Sequence, residues 1–265
     1  PRSEVAMAGL EEVRRRAGKH EELIEMLLGR AERAPSARER ARAMAEIGRI
    51  YLRDLSDSEQ ATVAFAQAFT DDPSAEYAGE VERAAGGSEQ LWAEALQAVG
   101  EASQAPELAP EARTLLLLQA GTWYRTKVGR ADLALPCYQA VLAVEPSNEG
   151  ALLGLTEIYK KAQQWQELGM ILNHRADAAA TPVQARDLRT EAAEVLEQRI
   201  GDFQGARAIY EIVLAEDPTH ERASDALGRI LEKAGDFGVL VQLLSARIAT
   251  QSKVDAVRTL CRIGD

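Results

Sequence analysis

Three prolines set the frame of this chain. Pro73, Pro146 and Pro218 stand 73 and 72 residues apart, in the segments DDPSAE, VEPSNE and EDPTHE. A fixed period of this length restricts a chain to stacked repeats, because each unit must bury its apolar face against the next. The register holds away from the prolines. Twelve residues upstream lie Ala61, Ala134 and Ala206, eight upstream lie Phe65, Tyr138 and Tyr210, and four upstream lie Phe69, Leu142 and Leu214. Tyr51, Tyr124 and Leu196 keep a common offset further upstream. Nineteen residues downstream come Trp92, Trp165 and Phe237, with His20 one period earlier. The one extra residue of the middle unit falls between Trp92 and Tyr124, and the Pro-rich stretch SQAPELAP accommodates it most cheaply.

Each unit of about 72 residues reads as four helices. In the middle unit, PEARTLLLLQAGTWYRTKV forms the first, and Gly129-Arg130 a turn. ADLALPCYQAVLAVE forms the second, with Pro136 placed in its early turns. SNEGALLGLTEIYKKA forms the third, with Leu155, Tyr159 and Ala162 at i, i+4 and i+7, and the fourth starts at Gln164-Trp165. Ala and Leu are abundant, aromatics make up 5%, and runs of Val, Ile, Thr and Tyr are missing, all of which favours helix over strand. Gly48, Gly121 and Ala193 in the first helices, and Ala61, Ala134 and Ala206 in the second, leave room for close helix approach.

These residues resemble the tetratricopeptide repeat, a 34-residue helical hairpin with the pattern W-x2-L-G-x2-Y…A-x3-F…P. Gly121 and Tyr124 in AGTWY correspond to its first-helix Gly and Tyr, Ala134 and Tyr138 to its A-x3-F, and Pro146 to its closing Pro; Gly228 and Leu231 in LGRIL repeat the first-helix pattern in an alternate hairpin. The opening Trp is missing from every first helix, and the small residue and the aromatic stand ten rather than nine positions apart. The likeness covers nearly the whole chain. It implies an all-α fold, a right-handed α-α superhelix of about seven stacked antiparallel hairpins. Residues 1–265 then form a single TPR-like domain, with units 18–89, 90–162, 163–234 and an incomplete 235–265. Phe65, Trp92, Tyr124, Tyr138, Trp165, Tyr210 and Phe237 become core wedges between hairpins. The start at Pro1 without a Met and the stop at RTLCRIGD read as a fragment of a longer chain.

Signatures of catalysis are missing. The sequence holds no G-x-G-x-x-G, no G-x-x-x-x-G-K-[ST], no H-E-x-x-H, no C-x-x-C and no G-x-S-x-G. HEELI at His20 and HERAS at His220 begin like a zinc motif but lack the second His at i+4. The expectation is therefore no enzyme activity, no cofactor and no metal, with His20 a partly buried structural residue. Cys137 and Cys261 lie far apart at apolar helical positions and read as two buried thiols. They point to a cytoplasmic home, and no charged-then-apolar leader opens the chain. No apolar run approaches the ~20 residues of a membrane span, so no membrane insertion is expected. A net charge of −11 argues against nucleic acid, whose phosphates need a basic footprint. Basic residues are nearly all Arg, which reads as bacterial genome composition and not as function.

That charge is uneven: residues 1–53 carry +3 and residues 54–265 carry −14. In the tetratricopeptide family the first helix of each hairpin lines the inner groove and meets the partner. On those helices the chain is graded. Arg38, Arg42, Arg49 and Arg53 form a basic stripe; Leu115, Leu118 and Thr122, ending in Arg125, are largely apolar; Asp187, Glu191 and Glu194 are acidic. Such a groove could hold an extended peptide of opposite polarity. The alternative is a solubilised helix face, with Glu39 and Glu46 satisfying the arginines and exposed pairs such as Arg42, Glu46 and Arg49 contributing little. The family's Lys/Asn clamp for carboxylate tails is not present. The reading is a non-catalytic scaffold binding a partner protein or peptide. Its rivals are a regulatory or substrate-docking segment of a larger enzyme, such as a kinase or transferase, and head-to-tail self-association of a basic end with an acidic one.

Overall fold

A computed structural model describes residues 13–14 and 17–248, and among these thirteen α-helices follow one another with no strand between them. They are α1 His20–Glu32, α2 Ala37–Arg53, α3 Ser58–Asp71, α4 Ala75–Ala85, α5 Glu89–Ser103, α6 Pro110–Trp123 and α7 Ala131–Val144. Then come α8 Glu149–Ala162, α9 Trp165–Asp177, α10 Pro182–Val195, α11 Phe203–Glu216, α12 Glu221–Ala234 and α13 Phe237–Ile248. Two compact units divide between Pro146 and Ser147, a boundary inside the 90–162 sequence unit. α1–α7 belong to the first unit and α8–α13 to the second. Within each, short turns fold consecutive helices against each other and alternate helices also meet, as in an all-α solenoid of hairpins.

Local sequence explains where helices begin. Ser36, Asp57, Ser74, Ser88, Asn148, Thr181 and Asp202 each precede a helix, and each accepts a backbone N–H from three residues on. Pro110 and Pro182 sit at first helical positions, where the missing N–H costs nothing. α6 and α10 each run on into one π-helical turn, Tyr124–Val128 and Leu196–Ile200, closed by Gly129 and Gly201 in the left-handed region. The loop between α5 and α6 spans 104–109, two residues longer than 33–36 and 178–181; one comes from α5 ending a position earlier in the register, and the other is the middle unit's extra residue. Arg113 spans this loop by donating to the Ala105 carbonyl at 2.8 Å.

The small-to-aromatic register organises alternate hairpins, α2–α3, α6–α7 and α10–α11. Phe65, Tyr138 and Tyr210 are buried to 1% exposure or less, opposite Gly48, Gly121 and Ala193. Ala61, Ala134 and Ala206 are fully buried. In the first unit the core gathers around Trp123, whose ring lies 5.2 Å from Phe69 and 5.5 Å from Trp92. Spacing does not mark Trp123, since the other repeats hold no Trp at its register.

Some expectations need correcting. Phe237 is 62% exposed and wedges nothing. Trp165 and Tyr124 are half-buried rather than enclosed. Trp92 alone of its register is buried, because Gly86 (φ +52) ends α4 early and α5 starts sooner, placing Trp92 in the second turn of α5. There its indole N–H donates to the Gly86 carbonyl at 3.0 Å. Trp165 and Phe237 are instead the first residues of α9 and α13. Pro136 lies in an early turn of α7 as its sixth residue, but past the first turn, so its missing N–H removes an internal hydrogen bond. Cys137 is half-buried, its thiol donating to the Leu133 carbonyl, and burial pushes its pKa up. Cys261 and residues 249–265 of the incomplete unit lie outside the described residues.

Candidate functional site

First helices α2, α4 and α6 in the first unit, and α8, α10 and α12 in the second, carry the charged and apolar positions singled out by sequence. Arginine–carboxylate pairs i and i+4 apart along α2 are not what organises them. Arg49 instead reaches from α2 to α4, donating to Glu76 at 2.9 Å and Glu80 at 3.3 Å. Glu80 is buried and also receives Arg83. Arg38 lies 3.9 Å from Asp72, and Arg40 holds Asp71 through two hydrogen bonds of 2.8 and 2.7 Å. From the end of α6, Lys127 and Trp123 both donate to Glu82 on α4, at 2.6 and 3.0 Å. Burial favours the protonated carboxyl of Glu82, but these donors outweigh it and hold its pKa below the usual carboxylate value.

The second unit repeats the ladder. Glu191 on α10 accepts from Lys160 on α8 at 3.4 Å, and Glu194 accepts from Arg222 on α12 at 2.9 Å. Asp187 faces His220 at 3.5 Å, while His220 caps α12 by accepting the Ala223 N–H on Nδ1. Glu197 is buried, accepts the Tyr210 hydroxyl at 3.1 Å and lies 3.6 Å from Arg229. Burial first, then the Glu197 charge, raise the Tyr210 pKa well above that of a free phenol. Beside this ladder, a hollow of about 190 Å³ opens between Lys160, Trp165, Glu191 and Arg199, whose guanidinium sits 5.0 Å over the Trp165 ring.

The sequence-marked residues thus divide in two. Arg38, Arg49, Asp187, Glu191 and Glu194 tie neighbouring helices together. Thr122 and Arg125 engage Tyr138, at 3.4 and 3.3 Å from its hydroxyl. Arg42 and Arg53 are exposed and contact no carboxylate. Leu115 is 48% exposed on α6, and Leu118 is half-buried one turn on. Periodicity along one helix could not separate these sets, because the partners lie 27 to 34 residues away, on or just before a neighbouring first helix. Among the described residues no three metal-binding side chains gather, and no helix is long and apolar enough to cross a membrane.

Helical hairpins in register, alternate ones closed by a small residue against an aromatic, make a tetratricopeptide-like helical-repeat fold. No protein-family model and no curated protein matches the chain. Among solved structures it is similar to a tetratricopeptide repeat protein from Parabacteroides merdae, at 16% identity over 80% of each chain with a TM-score of 0.40. It is also similar to the TPR2AB domain of yeast Sti1 in complex with pHSP90, at 13% identity over 84% of this chain and 95% of that one, TM-score 0.33. Yeast Tom70 shares 10% identity over 92% of this chain and 58% of its own, TM-score 0.36.

Proposed function

We propose that this chain is a non-catalytic scaffold that binds a partner protein through the first helices of its hairpins. The observation that carries this reading is the contrast on those helices. Many of their charges are spent on helix-to-helix pairs, whereas Leu115 stays half in water with Leu118 beside it and Arg42 and Arg53 meet no carboxylate. An exposed leucine on a face otherwise tied up in ion pairs gives a partner an apolar anchor. These arginines favour acidic residues at the other contact point. In the second unit, Asp187, Glu191 and Glu194 are held by His220, Lys160 and Arg222 and offer a partner less than their charge suggests. Selecting peptides from a random display library against the protein, and repeating the binding with Leu115→Glu and with Arg42→Glu/Arg53→Glu, tests the reading. Loss of binding in both variants supports it, and unchanged affinity in both removes it.

A further inference from the structure

Arg175, in the last turn of α9, is half-buried yet meets no carboxylate and no aromatic ring. Every other half-buried arginine described in the second unit has a carboxylate: Arg186 meets Asp217 at 3.4 Å, Arg189 meets Glu216 at 2.7 Å and Arg207 meets Glu211 at 2.8 Å. A guanidinium presents five N–H donors, and those of Arg175 are not cut off from water, so they stay available to a ligand entering from solvent. A place near the C-terminus of α9 suits a cation, but an exposed side chain would serve the helix dipole as well.

Arg175 lines a cleft of about 110 Å³ among α8, α9 and α10. Leu152 and Leu188, both buried, form its floor. Gln184 and Ser147 stand at its sides with side chains that make no hydrogen bond within the protein, and the small residues 178–180 keep one wall low. An apolar floor with a few convergent donors is how small polar groups are recognised. We propose that this cleft is a receptor for a single carboxylate side chain, a Glu or Asp of a partner protein. Arg175 supplies a forked donor and Gln184 a second one, while the methylenes of the incoming side chain lie on Leu152 and Leu188. Glu149 also lines the cleft, exposed to solvent. Its charge tolerates a compact monoanion paired with Arg175 but disfavours a phosphate dianion. The cleft belongs to the second unit and does not depend on the α2 and α6 positions proposed above, so either reading can fail without the other.

The test titrates the whole chain with N-acetylglutamic acid α-amide, with N-acetylglutamine amide and with inorganic phosphate, following the Arg175 Nε–H and Gln184 side-chain amide by ¹⁵N NMR. The acid should give saturable shifts confined to the cleft. The neutral amide, phosphate and Arg175→Gln should each bind at least about tenfold more weakly. Because Arg175 contacts no protein acid, Arg175→Gln should keep the native melting temperature. Arg175→Lys keeps the charge without the planar fork and should bind between the two. Equal binding of acid and amide, tighter binding of phosphate, undiminished binding to Arg175→Gln, or no saturation up to about 100 mM would overturn the proposal.

Discussion

The Tyr138 ring lies so close over Gly121 that a Cβ on Gly121 would stand 2.9 Å from its Cε1. Gly48 faces Phe65 at the same register, with 2.7 Å to Cε1. Both rings are buried at 1% exposure or less, so neither can swing into solvent to make room. Gly121→Ala should therefore destabilise the fold by about 1–3 kcal/mol, even though alanine is the better helix former. Chemical denaturation measures this, and a neutral or stabilising result would mean that the hairpin tolerates a wider separation.

Ser56 should be improved by glycine. It holds φ +55 at the register where Gly129 and Gly201 close the other first helices with φ +73 and +80. Gln163, at φ +57, occupies the register of Gly235 in the same way. The left-handed region costs a side-chain-bearing residue about 1 kcal/mol. Ser56→Gly and Gln163→Gly should each raise stability by about 0.5–1 kcal/mol, and their effects should add because the sites lie in different units. A lowered melting temperature for either variant would show that the native side chain contributes more than its backbone strain costs.

Arg49 and Arg42 should behave differently although both belong to the same sequence stripe. Arg49→Ala leaves the buried Glu80 with Arg83 alone and should cost about 1–2 kcal/mol. Arg42→Ala removes an exposed side chain that contacts no carboxylate and should change stability by less than about 0.5 kcal/mol. Equal losses in the two variants would mean that the α2–α4 pairs do not hold the helices together.

These contrasts show what the sequence could and could not reveal. The period, the helices and the small residues at close approaches were legible because each is local or recurs at a fixed offset, whereas the contacts those small residues make, with the aromatics of their own hairpin, were not. Gly121 and Tyr138 lie 17 residues apart within one hairpin, and the same pairing recurs in the neighbouring units. The ladder was not legible, because Glu80 and Arg49 meet only when one hairpin stacks on the next. Equal spacing from a proline does not ensure equal depth: Phe237 is exposed at the register where Trp92, after the early turn at Gly86, is buried. Arg175 escaped notice because what distinguishes it is a missing partner, and only a three-dimensional arrangement shows that.

Glu82 should contribute to acid unfolding. Its carboxyl is harder to protonate in the folded state than in the unfolded chain, because Lys127 and Trp123 donate to the charged form. Its contribution is therefore complete above the unfolded-state value of about 4.3 and is lost as pH falls through and below it. Glu82→Gln should be destabilising at pH 7, and the gap from the native chain should narrow as pH falls below about 5. A gap independent of pH would point to lost packing instead of lost charge.

The most direct test of the scaffold reading is the affinity of display-selected peptides for the native chain, for Leu115→Glu and for Val63→Glu. Val63 is equally exposed, at 50%, but lies on second helix α3 rather than a first helix. The account predicts acidic peptides with an apolar residue whose affinity falls at least about tenfold for Leu115→Glu and stays unchanged for Val63→Glu. Peptides that bind Leu115→Glu as tightly as the native chain, or that lose affinity only for Val63→Glu, would contradict it.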